Sequence, residues 1–295
     1  MRCFVTLLMF LTGALPAAAQ NEPLDRFVTL AGLRLHYLEW GRADQPALIM
    51  LHGIGRDAHS FDHIAPHFTK TYRVIALDLR GHGDSGWHPD GAYLVEDLVK
   101  DLEGLIDQLQ LGRIVLLGNS TGGRVVQQYA GIHPDRVRAI VVEDVGPERP
   151  QDIAAGFARR VQQEANGWGS EAELIAFLKA QSSTVSDDLI RAHARSATKR
   201  REDGRLVWKR DPNLVKGFVP TELWPVVRQI RSPALYVLGG KSTIVSEATQ
   251  QQLKSTIPDC QIVVIPGLGH YPHLEAPGPY VDLVADFLAR RALTP

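Results

Sequence analysis

A serine framed by glycines, Gly118-Asn119-Ser120-Thr121-Gly122-Gly123, sits between the apolar run Ile114-Val115-Leu116-Leu117 and a stretch of helical character over 124–130. A strand that turns sharply into a helix across Gly-x-Ser-x-Gly holds its serine in a strained conformation above the sheet edge. Bulky residues at Gly118 or Gly122 would clash across so tight a turn. The turn also aims the first N–H groups of the helix at the point where the hydroxyl emerges. A serine hydroxyl is a poor nucleophile by itself, so acyl-transfer chemistry here requires a base and an oxyanion site elsewhere in the chain. Without them the segment would be only a Gly-rich turn.

Both partners are present. His270 follows an apolar run over 261–265 and the turn Gly267-Leu268-Gly269, which lets it reach across the sheet edge and take the Ser120 proton. His273 is the competing base, less well placed because it lies beyond that turn. At the end of another apolar run, His52-Gly53-Ile54-Gly55 frees the Ile54 N–H. Together with the Thr121 N–H it forms a candidate oxyanion hole. His52 itself is read as ordering this loop. The chain order, nucleophile first and histidine last, differs from the orders of chymotrypsin and subtilisin.

The elements that must position these groups follow from periodicity. Segments 27–30 and 33–40 alternate and flank Ala31-Gly32, which predicts an antiparallel hairpin. The continuous apolar run 46–51 predicts a strand buried on both faces, 72–77 reads as another buried strand, and 114–117, 137–142, 234–238 and 261–265 are read as further strands. Helical stretches are predicted at 60–68, 94–109, 124–131, 247–255 and 279–290. Alternation of this kind specifies an α/β fold with a mostly parallel central sheet and helices on both faces. Ligands in such sheets bind beyond the carboxyl ends of the strands, where each motif above lies. From 149 to 224 the rhythm lapses. Amphipathic pieces at 153–165, 171–181 and 187–198 mark a helical insertion, so the core comprises 20–148 and 225–295.

The 295 residues carry a formal net charge of −1, which gives no basic surface for nucleic acid and no acidic tail. Met1-Arg2, an apolar stretch over 3–15 and the small residues Ala17-Ala18-Ala19 form the pattern of a secretory signal cleaved after Ala19. The alternative is an uncleaved membrane anchor. With residues 1–19 taken as the signal, no stable membrane anchor is expected, and the protein is expected in the periplasm or outside the cell. Only Cys3 and Cys260 occur. Cys3 would leave with the signal, so no internal disulfide is expected and Cys260 is read as structural.

The sequence resembles the α/β-hydrolase superfamily, close to its esterase and epoxide-hydrolase-like branch. The resemblance is carried by His52-Gly53-Ile54-Gly55, by Asp78-Leu79-Arg80-Gly81-His82-Gly83-Asp84-Ser85, by the Ser120 turn, and by Gly267-Leu268-Gly269-His270 with Glu275-Ala276-Pro277. It implies a Ser120 nucleophile, a His270 base, an Ile54/Thr121 oxyanion pair, a structural role for 78–85, and a pocket-shaping cap over 149–224. A serine rather than an aspartate at the turn argues against epoxide hydrolases and haloalkane dehalogenases, which need a carboxylate nucleophile. The family often carries its acid after the strand that here ends at Leu238, yet 239–244 holds no carboxylate. Other members carry it one strand earlier, which implies Asp144 as the group orienting His270. Strand alternation then turns Glu143 to the opposite face. A dyad with Ser242 or Thr243 only hydrogen-bonding is the alternative.

The activity expected is a serine hydrolase cleaving a carboxylic ester, or a related lactone or thioester, of a small, largely apolar substrate. Carbon–carbon bond hydrolysis, acyl transfer to an alcohol, and ligand binding without turnover are the alternatives on the same site. Arg124 is a candidate for a substrate carboxylate or for pairing with local acids. Trp168, Trp208, Phe218 and Trp224 are candidates for an acyl pocket or for the core of the cap. His59, His63 and His67 share helical spacing without a ligand pattern and are read as surface, so no metal and no cofactor are expected.

Overall fold

The structure, a computed structural model, describes residues 22–148, 161–162, 164–181, 184–214 and 221–291. The signal reading of 1–19, most of the first predicted insertion helix, and Phe218 lie outside them.

The first hairpin pairs β1 (Leu24–Leu30) with β2 (Leu33–Trp40) around Ala31 and Gly32, both at positive φ. β3 (Ala47–Leu51), β4 (Arg73–Leu77), β5 (Ile114–Asn119) and β6 (Val137–Glu143) follow. A short hairpin, β7 (Thr198–Arg200) with β8 (Leu206–Trp208), stands apart before β9 (Ala234–Gly239) and β10 (Cys260–Ile265) complete the main sheet. Its order is β1-β2-β4-β3-β5-β6-β9-β10. The β1/β2 and β2/β4 pairs are antiparallel and the others parallel.

Both faces of the sheet are covered, which is why β3, β5 and β9 read as unbroken apolar runs. On one face lie α1 (Val95–Gln108), α2 (Thr121–Ile132) and the α6 helix (Glu247–Thr256), reached through α3 (Glu171–Gln181), α4 (Asp187–Ser196) and α5 (Trp224–Val227). Leu102, Leu105, Val126, Tyr129 and Leu253 pack there against Ile49, Leu116 and Tyr236. On the other face Phe61, Ile64 and Phe68, with Tyr280, Val284 and Phe287, cover Leu48, Met50, Leu117 and Val237. The last three come from α8 (Pro277–Arg291), which follows the single turn α7 (Pro272–Glu275).

Two local expectations change. Segment 60–68 is not one helix but two 3-10 turns, Ala58–Phe61 and Ala65–Phe68, with Pro66 in the second. Pro66 has no N–H to donate back to the preceding turn, which interrupts a continuous helix through 60–68. The insertion is not purely helical: α4 stops at Ser196 and gives way to the β7/β8 hairpin, whose turn holds Gly204 at φ 81°. Trp168, Leu174, Leu178, Ile190 and Trp208 form the insertion's own core, which closes on Leu274 of the main fold. Among the described residues no helix is long and apolar enough to cross a membrane.

β3 leads outward to β4, whereas β5 lies on its other side. The chain connections therefore diverge between the carboxyl ends of β3 and β5, which opens a crevice at that point. Ile54 follows one of these strands and Ser120 the other.

Candidate active site

β5 delivers Ser120 into a left-handed conformation, φ 51° and ψ −115°, at the mouth of α2. A non-glycine residue held this way costs about 1–3 kcal/mol, so the surroundings must over-determine it. They do: Ser120 N–H donates to Glu143 O (3.0 Å), Gly122 N–H to His52 O (3.1 Å), and Arg124 N–H to Ser120 O (3.0 Å). The glycines are required sterically. A Cβ on Gly118 would lie 2.4 Å from the Gly122 carbonyl carbon, and one on Gly122 would lie 2.1 Å from Leu51 O. Gly122→Ala therefore pushes α2 off the end of β3. We expect a loss of about 3 kcal/mol, read as a melting temperature lower by roughly 6–12 °C in a thermal unfolding scan.

The loop after β3 lies directly on Ser120, since a Cβ on Gly53 would come within 3.0 Å of Ser120 Cβ. Among the described residues the N–H groups of Ile54 and Thr121 meet no protein acceptor. His52 fixes the loop. Its Nε2 accepts from Leu79 N–H (3.0 Å), which leaves Nδ1 to donate to Gly53 O (2.9 Å). Burial pushes its pKa down, so the ring is neutral in this single tautomer.

Asp144 ends β6 at φ 48° and is almost wholly buried, 1% exposed. Its Oδ1 accepts from Gly239 N–H (3.1 Å). Its Oδ2 accepts from Ser242 Oγ (2.6 Å) and from His270 Nδ1 (2.7 Å). An ionised carboxylate only accepts, so the His270 proton sits on Nδ1 and the Nε2 lone pair faces outward. Asn119 Nδ2 donates to His270 O (3.1 Å) and ties the histidine loop to the serine turn. Ser120 Oγ and His270 Nε2 share no direct hydrogen bond in this resting arrangement. Such contacts commonly tighten only when substrate is bound.

A second histidine–carboxylate pair lies on the other face. His273 Nδ1 meets Glu143 Oε1 at 2.8 Å, and both side chains are fully buried, which removes His273 from contention as a base for Ser120. His63 donates from Nε2 to His273 O (2.9 Å), and burial pushes its pKa down to about 4. The surface reading therefore fails for His63, whose partner lies 210 residues away. His59 is half-buried and pairs with Asp62, whose hydrogen bond raises it to about 9, while His67 is exposed.

The described substrate-binding candidates, Arg124 and Trp168, are engaged elsewhere. Arg124 is 1% exposed and spends its guanidinium on the carbonyls of Gly146, Glu148 and Thr221. It latches backbone segments rather than waiting for a substrate carboxylate, and burial lowers its pKa to about 10. Trp168 and Trp208 stack edge to face within the insertion core, and Trp224 packs on the α2 side of the sheet. Asp78 locks the 78–85 loop, accepting from His36 Nδ1, Ala58 N–H and Asp84 N–H. His36, Asp78 and Asp84 have donor atoms within 4.8 Å of one another, but these hydrogen bonds already use both Asp78 oxygens. Cys260 is half-buried, and burial raises its thiol to about 11, which keeps it inert.

Two residues at the crevice escaped the sequence reading. Arg56 follows Ile54 by two positions, and its guanidinium carbon lies 4.5 Å from the centre of the Tyr271 ring. Tyr271 in turn packs against His270, with ring centres 4.8 Å apart. The signal was adjacency alone: each directly extends a motif already singled out.

The sequence profile of the alpha/beta hydrolase fold family matches residues 46–277. The chain is 32% identical over 260 residues to the sn-1-specific diacylglycerol lipase ABHD11 of Mus musculus, covering 84% of this chain and 83% of the relative. It is 26% identical to 2-(acetamidomethylene)succinate hydrolase of Mesorhizobium japonicum, covering 92% and 97%. The crystal structure of E-2-(acetamidomethylene)succinate hydrolase superposes with a TM-score of 0.83 at 27% identity, over 91% of this chain and 100% of that one.

Proposed function

The chain belongs to the α/β-hydrolase family, and on that premise we propose that it is a serine hydrolase that cleaves carboxylic esters of small substrates through an acyl-enzyme on Ser120. The observation that carries this reading is the 2.7 Å contact between His270 Nδ1 and Asp144, which leaves Nε2 as an acceptor beside the serine turn. The relatives named above are a lipase and a hydrolase, which supports hydrolysis as the reaction type.

The chemistry then runs through this chain's own groups. His270 Nε2 takes the Ser120 proton as Oγ attacks the ester carbonyl. The carbonyl π electrons move onto oxygen, where the Ile54 and Thr121 N–H groups receive the charge. Collapse of the tetrahedral adduct breaks the bond to the leaving alkoxide, which recovers the proton from His270. Water, deprotonated by the same Nε2, attacks the acyl carbon; the second adduct collapses, releasing the acid, and Ser120 Oγ recovers the proton from His270. Asp144 stabilises the imidazolium throughout without taking the proton itself. Lactones and thioesters present the same carbonyl and fall within this scheme.

The test is stoichiometric. Intact-mass analysis after treatment with a fluorophosphonate should give one adduct per chain, mapped to Ser120, together with loss of p-nitrophenyl butyrate hydrolysis. A protein that acquires no adduct and hydrolyses no ester would overturn the reading in favour of ligand binding.

A further inference from the structure

A small cavity of about 60 Å³ adjoins the crevice and is lined by Ile54, Arg56, Leu178, Gln181, Ile190 and Tyr271. It lies between the loop that presents the Ile54 N–H and the insertion helices α3 and α4.

Arg56 and the buried His193 both line the cavity. The half-buried Arg56 guanidinium rests on the Tyr271 ring, and among the described residues it makes no hydrogen bond and no ion pair. Its neighbour in sequence, Asp57, attracts it through space but makes no ion pair with it. That carboxylate is buried, accepts from Ser196 Oγ (2.9 Å), and is pushed up to about 7 by burial and by Asp78. Arg210 Nη1 lies within 2.5 Å of where a Cβ on Gly55 would sit, and it pairs with Glu164. Glu275, the nearest acid beyond Tyr271, is taken up by Gly269 N–H, Tyr271 N–H and the Thr184 hydroxyl. A guanidinium held against a ring keeps its forked donors oriented, and a carboxylate matches them two for two. Arg124, the cation flagged by sequence, is spent on backbone, whereas among the described residues the Arg56 guanidinium has no hydrogen-bond partner.

We infer that this cavity is a subsite for a carboxylate carried by the substrate, bound by Arg56, so that the preferred esters bear an anionic group a few bonds from the carbonyl attacked by Ser120. The inference rests on the ester-hydrolase reading and names its substrate class. Leu178, Ile190 and Ile54 supply an apolar wall for the link between the two ends.

The experiment compares substrates that differ only in that charge. Monomethyl glutarate against dimethyl glutarate places the carboxylate on the acyl side, and (butanoyloxy)acetic acid against its methyl ester places it on the alcohol side, both followed by pH-stat. For at least one pair, kcat/KM should favour the anion by about tenfold or more. In Arg56→Gln that ratio should fall by about 10- to 100-fold, mainly through KM, with Arg56→Lys recovering part of it. Each ratio is taken on one preparation, so a partly unfolded variant does not mimic the result. Calorimetric titration with glutarate needs no turnover and should lose its signal in Arg56→Gln. Equal ratios in wild type and Arg56→Gln, or equal glutarate affinity, overturn the subsite. Absence of any ester hydrolysis overturns the hydrolase reading instead, and the titration still decides the subsite.

Discussion

Ser120→Ala is expected to lower kcat for p-nitrophenyl butyrate by roughly 10⁵- to 10⁶-fold, which removes it to within the activity left by the oxyanion donors and binding alone. The expectation is sharp because the hydroxyl has no structural duty. The Ser120 side chain makes no capping bond to α2, and the turn is held instead by backbone contacts to Glu143, His52 and Arg124. Alanine inherits the same left-handed backbone at no greater steric cost than serine. Stability should therefore stay within about 0.5 kcal/mol of wild type in urea titration. A large kinetic loss with an unchanged unfolding midpoint assigns the effect to chemistry. Retained turnover in a verified Ser120→Ala preparation would place the nucleophile elsewhere.

Asp144→Asn is expected to cost about 10³- to 10⁴-fold in kcat with little change in KM. Asparagine tolerates the left-handed φ of 48° found at this position, so the backbone need not move. The damage is to the tautomer. The Asn oxygen is claimed by the Gly239 N–H that now bonds Oδ1, which turns the amide nitrogen toward His270 and Ser242. Facing a donor, His270 Nδ1 becomes the acceptor and the ring proton moves to Nε2, where it blocks removal of the Ser120 proton. Ser242→Ala is the control. It removes one hydrogen bond to Asp144 worth about 1 kcal/mol, or roughly fivefold in rate, and leaves the tautomer intact. Equal losses in the two variants would contradict this account.

The serine turn was legible because its physics is local. Gly118 and Gly122 are close to each other and to β3, so the glycine spacing is itself the steric record. The central sheet was legible for the same kind of reason, as strands buried on both faces leave continuous apolar runs. What escaped depends on partners distant in sequence. The spacing of His63 suggests a solvated face, yet the residue lies against His273. Arg124 reads as a cation beside the nucleophile, but its acceptors come from Gly146, Glu148 and Thr221. The β7/β8 hairpin did leave a signal, Asp203-Gly204 between short β-prone segments, which the surrounding charges of 199–205 obscured.

Placing Asp144 at the end of β6 also bears on how such a site changes over evolutionary time. Ser120 and Asp144 stand on adjacent strands one rung past the paired Asn119 and Glu143, so they share a rigid frame. In the segment after β9, the Ser242 hydroxyl donates to Asp144 Oδ2 at 2.6 Å. A lineage that acquired a carboxylate there would hold two acids around one imidazole, sharing a proton between them. Either could then be lost without passing through a chain that has neither. The acid can in this way migrate between neighbouring strands by single substitutions, which makes its address in the sequence a drifting character while the place it occupies around the histidine stays put.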